Sequence, residues 1–327
     1  MQAFEYANPT TLQEATGLLS AQWGEAGILA GGTDLISLMK DYVETPKRVV
    51  NVKGIKELGG IHKSGAGLRI GSIVTFDELM ENAAVRSEYP SLIEAVRGVS
   101  SPQIRNMGTV GGDLCQRPRC WYYRGGHGLL AMDASGKSLV PNGENRYHAI
   151  FPAAPAYFVS ASSLGPALVA LGAKVKLVSP SGNREVPIEK FFLVPQNAQG
   201  RETALQANEI LTEIVVPTSK GAKNATYEVR EKDALDWPLA TASVALTMKG
   251  NSVGSARIVM GHVAPTPHIA AGAEKFLAGK TISESVAEEA GKAAVADAKP
   301  LSQNEYKVQL ARVAVKRALL HAAGMKA

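Results

Sequence analysis

Ala30-Gly31-Gly32-Thr33-Asp34-Leu35 is one of two glycine turns that decide the fold, and Gly108-Thr109-Val110-Gly111-Gly112-Asp113 follows about 75 residues later. Glycine permits positive φ angles and has no Cβ to block a close backbone approach. The first turn lies between a predicted strand at 27–30 and a predicted helix, where the helix dipole favours an anion. The spacing matches neither the Rossmann fingerprint nor the P-loop. The turns alone therefore leave two interpretations open, a site for an unidentified anionic ligand and tight turns that bind no ligand.

The composition is that of a globular protein with more than one domain. The chain has 327 residues, of which 45% are hydrophobic and 20% charged, and this length suffices for two or three domains. The net charge of +5 is spread along the chain. The nearest basic cluster, Arg117, Arg119 and Arg124, is too sparse for a nucleic-acid-binding face, so we predict no nucleic-acid partner.

Neither a membrane span nor a disulfide scaffold is predicted. No apolar run approaches the length that spans a bilayer, and Met1–Glu5 lacks the features of a signal peptide. We therefore expect a cytoplasmic protein, with periplasmic export alongside a signal-bearing partner as the alternative. The two cysteines, Cys115 and Cys120, cannot by themselves complete a four-thiolate metal or cluster site.

The hydrophobic pattern predicts an α+β fold. Thr11–Glu14 and Thr75–Glu78 are capping boxes, each of which starts a helix. Thr33 is predicted to cap the helix after the first turn. The core face of that helix is predicted to contain Leu35, Leu38, Met39 and Tyr42.

The second half of the chain shows two further features. Residues 116–155 have few apolar periodicities and are interpreted as a long ordered loop or insertion, which in compact domains is usually functional or disordered. After residue 220, two apolar runs at 243–248 and 255–260 predict a hairpin. Three helical segments follow from His268, so strands precede helices in this C-terminal part.

The residues of the two turns resemble a known family. Residues 30–35 and 104–114 are similar to the two FAD loops of the FAD-binding subunits of the xanthine dehydrogenase and carbon monoxide dehydrogenase family, in the same order. The resemblance extends to residues 170–175 and 230–246 and covers essentially the whole chain. It implies a two-lobed FAD-binding domain of the vanillyl-alcohol-oxidase type, followed by a smaller α+β C-terminal domain with a sheet and a helical bundle.

The expected boundaries follow from that resemblance and from the changes in sequence pattern. Residues 1–53 form the first lobe of the FAD domain, and 54–220 form the second lobe with the insertion at about 116–155. Residues 221–327 form the C-terminal domain.

The resemblance also implies which residues bind the cofactor. The expected FAD-binding residues are Ala30, Gly31, Gly32, Thr33, Asp34, Leu35, Thr109, Gly111, Gly112, Asp113, Ser163 and Leu211. The chain departs from the family at three positions. The second turn of the family usually ends in Asn rather than Asp113, Asp often stands where this chain has Ser163, and Lys often stands where it has Glu228. The last two departures put a nucleotide hydrogen bond and the electrostatics beside the flavin ring in question.

The insertion resembles that of bacterial aldehyde oxidoreductase FAD subunits, some of which hold a [4Fe–4S] cluster on four cysteines. Only Cys115 and Cys120 remain here, so we predict a loop without a cluster or other metal. His127 or His148 could in principle complete a ligand set, although thiolates hold most clusters. A disulfide between the two cysteines is a further alternative.

The resemblance implies an electron-transfer flavoprotein subunit. Substrate would be hydroxylated at a molybdenum cofactor on a large partner subunit, and electrons would pass through [2Fe–2S] centres on a small subunit to FAD and then to an external acceptor. The alternative is a structural subunit that has kept the fold and lost the flavin. A stand-alone flavin oxidase is a third hypothesis. Asp236-Trp237 is expected to approach the flavin or a partner, or simply to pack. The sequence names no catalytic residue, organic substrate or electron acceptor.

Overall fold

The fold is mixed helix and sheet, and the computed structural model describes residues 1–99, 101–219, 221–232 and 235–326. Lys220 and Ala327, at the ends of predicted domains, lie outside the described residues, as do Asp233 and Ala234 in the stretch that resembles the family. Among the described residues, no helix combines the length and the hydropathy that crossing a bilayer requires.

The first sheet is parallel and carries the first glycine turn at its edge. Its strands, in the order β1-β3-β2, are β1 (Glu5–Ala7), β2 (Ala26–Leu29) and β3 (Arg48–Asn51). Two short helices connect them, α1 (Leu12–Gly17) and α2 (Leu35–Lys40). The first turn leaves the end of β2 and enters α2, as the sequence predicts.

The second sheet is antiparallel and has the order β4-β5-β8-β6-β7. Its strands are β4 (Ile61–Ser64), β5 (Gly67–Gly71), β6 (Lys174–Ser179), β7 (Gly182–Pro187) and β8 (Ile210–Pro217). The helices between these strands are α3 (Phe76–Glu81), α4 (Ala83–Glu88), α5 (Pro90–Arg97), α6 (Pro102–Met107), α7 (Val110–Cys115), α8 (Trp121–Arg124), α9 (Leu164–Ala170) and α10 (Ile188–Phe191). A continuous apolar core joins this sheet to α3, α5 and α9.

The third sheet is also antiparallel, with the order β12-β11-β10-β9. Its strands are β9 (Lys223–Val229), β10 (Ala240–Lys249), β11 (Ser252–Gly261) and β12 (His268–Ile269). Three helices cover it, α11 (Ala271–Leu277), α12 (Glu284–Ala294) and α13 (Tyr306–Ala322). The predicted hairpin and three C-terminal helices are confirmed, and they share a core rich in alanine and valine. The predicted start of the helices at His268 is wrong, because His268–Ile269 pairs with β11 as strand β12 and the first helix begins at Ala271.

The insertion is ordered, although α8 is its one helix among the described residues. Asn145 holds its turn by donating from Nδ2 to the carbonyl of Val140 at 3.2 Å and to Ser302 Oγ at 3.0 Å. The Lys307 ammonium donates to the carbonyls of Tyr147 and His148 at 3.2 and 3.0 Å. The insertion is thus anchored to the segment that leads into α13 and to that helix.

Both predicted capping boxes are present, but two details of α2 differ from the prediction. The side chains of Thr11 and Thr75 each accept from the backbone three residues on, and the matching glutamates reach back. Thr33 does not cap α2, because Asp34 occupies the N-cap position with no side-chain cap bond. Tyr42 is 62% exposed, because α2 ends at Lys40 and Tyr42 turns the chain with a φ of 56°.

Candidate functional site

One cleft brings together all of the residues that the sequence predicted for the cofactor. Both glycine turns line it, and its lining continues along β2 to Trp23. The predicted residues that line it are Ala30, Gly31, Gly32, Thr33, Asp34, Leu35, Thr109, Gly111, Gly112, Asp113, Ser163 and Leu211. The two turns and Leu211 of β8 therefore share one site.

The first turn presents free backbone donors to the cleft. Among the described residues, no protein acceptor lies within hydrogen-bonding distance of the backbone N–H groups of residues 31–34. Gly32 has a φ of 74°, which favours glycine, and a Cβ on Gly31 would overlap the carbonyl oxygen of Met107. The ammonium of Lys53 donates to the carbonyl of Ala30 at 3.1 Å, which fixes the start of the turn. Consecutive unbonded N–H groups at the start of a helix favour an anion.

The second turn differs, because its N–H groups already have partners. Thr109 is the N-cap of α7, and its hydroxyl accepts from the N–H of Gly112 at 3.0 Å. The N–H of Gly111 donates to the carbonyl of Ser72 at 2.8 Å. A Cβ on Gly111 would lie 2.7 Å from the Ser72 Cβ. This turn therefore forms a close wall of the cleft, while the first turn supplies the N–H donors.

Asp113 ends the second turn as a buried hydrogen-bond acceptor. Its carboxylate accepts from Ser162 Oγ at 2.5 Å, from the N–H groups of Ser163 and Leu164 at 3.1 and 3.0 Å, and from Gln116 Nε2 at 3.0 Å. Burial raises the pKa of Asp113, and the hydrogen bond from Ser162 opposes that rise. The residue thus holds the start of α9 beside the cleft. Ser163 occupies the N-cap position of α9, and its side chain makes no cap bond.

The insertion supplies cations to the side of the cleft next to the first turn. The Asp34 carboxylate accepts from the Arg117 backbone and from the Arg124 guanidinium, both at 2.8 Å. Arg119 lies 3.4 Å from the same carboxylate. The guanidinium of Arg119 also stacks over the Trp237 ring at 4.3 Å, and both residues line the cleft. Asp236 and Trp237 both line the cleft.

Glu228 lies behind the cleft wall and is paired. It forms an ion pair with Arg230, and the side chains of the two residues pack against Gly98, a residue of the cleft lining. Burial raises the pKa of Glu228 to about 7, while the neighbouring Arg230 lowers it. The carboxylate that replaces the lysine common in the family is therefore accompanied by its own cation.

The two cysteines are free and lie in different surroundings. The disulfide alternative is therefore wrong. Cys115 lines the cleft, and burial raises its pKa to about 12, whereas Cys120 Sγ lies 3.1 Å from His148 Nε2. Within the described part of the chain, no group of three or more His, Cys, Asp or Glu side chains is placed to hold a metal ion.

Several residues that line the cleft or support its first turn were missed by the sequence reasoning. Lys53 fixes the first turn, and Arg119 reaches from the insertion. Arg201 stacks on Trp23 at 4.1 Å, and both residues line the cleft at the far end of β2 from the first turn. No local pattern announces these residues, because each becomes part of the site only through contacts between distant segments.

The geometry fits a dinucleotide cofactor. The unbonded N–H groups of the first turn suit a diphosphate. Two indole rings line the same cleft, that of Trp23 before β2 and that of Trp237 beside Arg119. A diphosphate joined to ring systems matches these groups.

Comparison with known protein families identifies the class. Residues 2–219 match the model of the FAD-binding domain in molybdopterin dehydrogenase, and residues 225–322 match that of the CO dehydrogenase flavoprotein C-terminal domain. Together these matches confirm the predicted fold, a FAD-binding domain with a smaller α+β C-terminal domain. The chain belongs to the FAD-binding medium subunits of the molybdenum hydroxylase family.

Individual relatives agree with this assignment. The chain is 30% identical over 320 residues to the carbon monoxide dehydrogenase medium chain of Hydrogenophaga pseudoflava, covering 97% of this chain and 96% of the relative. It is 31% identical over 322 residues to the aldehyde oxidoreductase FAD-binding subunit PaoB of Escherichia coli, covering 95% and 96%.

Solved structures are similar over the same length. A carbon monoxide dehydrogenase chain from Hydrogenophaga pseudoflava gives a TM-score of 0.77 at 30% identity, covering 100% of this chain and 99% of the other. A chain of quinoline 2-oxidoreductase from Pseudomonas putida gives 0.77 at 26%, covering 99% and 98%.

Proposed function

We propose that this chain is the electron-transfer flavoprotein of a molybdenum hydroxylase complex. Electrons reach its FAD from [2Fe–2S] centres on a small partner subunit and leave to an external acceptor, while a large subunit holds the molybdenum cofactor. The observation that carries the proposal is the first turn, whose N–H groups have no protein acceptor among the described residues and whose residues line the cleft with every other predicted site residue. When bound, the flavin supplies the redox chemistry, and the protein binds, orients and tunes it.

Each part of the cleft has a distinct role in this proposal. The N–H groups of residues 31–34 bind the diphosphate, and Lys53 keeps their turn in place. Thr109, Gly111 and Gly112 let the opposite wall approach closely. Asp113 positions α9 and with it Ser163.

The proposed division of the chain follows the sequence analysis. Residues 1–53 and 54–220 form the two lobes that enclose the cleft, and 221–327 form the C-terminal domain. The insertion at about 116–155 acts without a [4Fe–4S] cluster, because its two cysteines lie apart in different surroundings. We place the complex in the cytoplasm, with export alongside a partner as the alternative.

The test is a matched pair of glycine substitutions. In Gly31→Ala the new Cβ would overlap the Met107 carbonyl and force the two turns apart, whereas a Cβ on Gly17 would meet no atom within 4 Å. We expect the native complex with Gly31→Ala to bind FAD at least about tenfold more weakly, and Gly17→Ala to keep normal affinity. Flavin absorbance per complex and FAD titration measure this.

The outcomes separate the alternatives. Normal flavin content in a folded Gly31→Ala complex would show that the first turn does not hold the cofactor. A native complex that is colourless yet fully assembled would instead favour a structural subunit. Redox activity of the isolated chain with an organic substrate would favour a stand-alone oxidase.

A further inference from the structure

The cleft continues well beyond the first turn along the whole of β2. From Gly31 it follows Ile28, Gly27 and Ala26 back to Trp23. A strand rises roughly 3.3 Å per residue, so β2 alone adds about 10 Å of wall. Leu205 and other small or apolar side chains line this arm as well. The arm is therefore long enough to receive a nucleoside extending from a diphosphate at the turn.

The end of this arm carries a stacked cation. The guanidinium carbon of Arg201 lies 4.1 Å from the centre of the Trp23 ring. Among the described residues, no carboxylate lies within 4.0 Å of this guanidinium, because the adjacent Glu202 is engaged by Arg117 at 2.8 Å. Burial lowers the pKa of Arg201, and the nearby Arg117 adds to that effect. Arg201, whose charge is only partly compensated, thus contacts Trp23 at the end of this arm. Trp23 is 42% exposed.

We propose that Trp23 and Arg201 bind the adenosine half of FAD and thereby set the preference of this chain for FAD over FMN. This inference rests on the proposed flavin function. Guanidinium groups stack on electron-rich rings, and adenine is such a ring, whereas oxidised isoalloxazine is an electron acceptor. Arg201 can also donate to ribose or phosphate oxygens through its planar fork of N–H groups.

The part of the cleft beside Asp34 suits the flavin ring better. Trp237 lines the cleft there, and its arginine, Arg119, lies 3.4 Å from the carboxylate of Asp34. The guanidinium of Arg201, with no carboxylate within 4.0 Å among the described residues, therefore distinguishes the Trp23 end. With the diphosphate at the first turn, adenosine follows β2 and the ring points toward the C-terminal sheet.

The experiment compares FAD with FMN, which lacks the adenosine part. The native complex is stripped of flavin and titrated with each flavin by fluorescence, for wild type, Arg201→Gln, Arg201→Lys and Trp23→Leu. The control is Arg257→Gln, because Arg257 is a surface arginine whose ion pair with Glu189 lies outside the cleft. Competition by ADP provides a second readout that involves no flavin ring.

We expect Arg201→Gln and Trp23→Leu each to weaken FAD binding by about tenfold or more, and to change FMN binding by less than about twofold. Lysine keeps the charge but loses the planar stack, so we expect the FAD affinity of Arg201→Lys to lie between those of wild type and Arg201→Gln. ADP competition weakens in parallel with FAD binding, and Arg257→Gln leaves every value unchanged.

Equal losses for FAD and FMN would overturn the proposal, because the ring would then occupy this arm. Unchanged FAD affinity in a folded Arg201→Gln complex would also overturn it. If Trp23→Leu fails to fold, the two Arg201 variants decide the question. Failure of the wild-type complex to bind FAD would instead contradict the proposed function itself.

Discussion

At Asp113, a single carboxylate connects three parts of the cleft. It follows the second glycine turn, accepts two N–H groups at the start of α9 and is reached by Gln116 at the edge of the insertion. A buried acceptor with four donors stabilises a local arrangement only while all of them remain satisfied. The position of the α9 start, and of Ser163 within it, therefore depends on this one side chain.

Replacing Asp113 tests that dependence. In Asp113→Ala the buried donors of Ser162, Ser163 and Leu164 lose their acceptor, and we expect a loss of about 3 kcal/mol in the free energy of unfolding. Asp113→Asn retains an acceptor oxygen and should lose less. Asp41→Ala, at an exposed helix end, is the matched control and should change stability by less than about 0.5 kcal/mol. Denaturant titration measures all three, and equal effects of Asp113→Ala and Asp41→Ala would contradict this role.

At the residue level, the sequence identified the site where the signal is local. The residues of the two turns line the cleft because their motif fixes both the backbone path and the neighbours. Arg201 and Trp23 could not be found in this way. They are far apart in the chain, and their contact depends on how the segment before β2 packs against the segment before β8.

Among the elements, α3 and the second turn are coupled. Thr75, the N-cap of α3, pairs with Thr109 in an isolated bridge, and the N–H of Phe76 donates to the carbonyl of Gly108 at 3.1 Å. A Cβ on Gly108 would lie 2.8 Å from the Phe76 ring. The helix start therefore positions the wall of the cleft.

The two capping boxes provide a matched pair of substitutions for this coupling. Thr75→Ala and Thr11→Ala each remove a helix cap and should each cost about 1 kcal/mol of stability. Thr75→Ala should in addition weaken FAD binding several-fold, because the second turn loses its support, whereas Thr11 caps a helix away from the cleft. Thermal unfolding and FAD titration separate the two effects. If Thr75→Ala and Thr11→Ala changed FAD affinity equally, the Thr75–Thr109 bridge would have no specific role in FAD binding.

Element types were predicted better than element details. The apolar periodicities gave the C-terminal hairpin and its three helices, since these buried faces are long and regular. The second glycine turn is in fact the first turn of α7, a helix of six residues. Such a short helix leaves no apolar period to detect, and the Gly111-Gly112 pair argues against a helix by propensity. Packing of Gly111 against Ser72 overrides that propensity.

Across the whole molecule, the insertion connects the FAD domain to the C-terminal domain. On one side Arg117 and Arg124 reach Asp34 in the first turn. On the other side Lys307 in α13 donates to the carbonyls of His148 and, at 2.8 Å, of His262. The sequence marked residues 116–155 as a long loop, but these contacts join residues 45 to 159 positions apart and leave no local pattern.

The same connection makes the molecule sensitive to acid. His148 and His262 are both 3% exposed. Burial, assisted by the nearby Lys307, lowers their pKa values to about 4 and about 3. As the pH falls, the unfolded chain therefore protonates its histidines near pH 6.5, before the folded chain does. The free energy of unfolding is thus highest above about pH 6.5 and decreases as the pH falls toward 4.

The substitution His148→Gln tests this acid sensitivity. We expect it to reduce the acid-induced decrease in the free energy of unfolding by up to about 3 kcal/mol, whereas His62→Gln, at an exposed position, should leave that decrease unchanged. Unfolding titrations from pH 8 to 4 measure the slopes, and a His148→Gln slope equal to that of wild type would place the acid sensitivity outside the insertion.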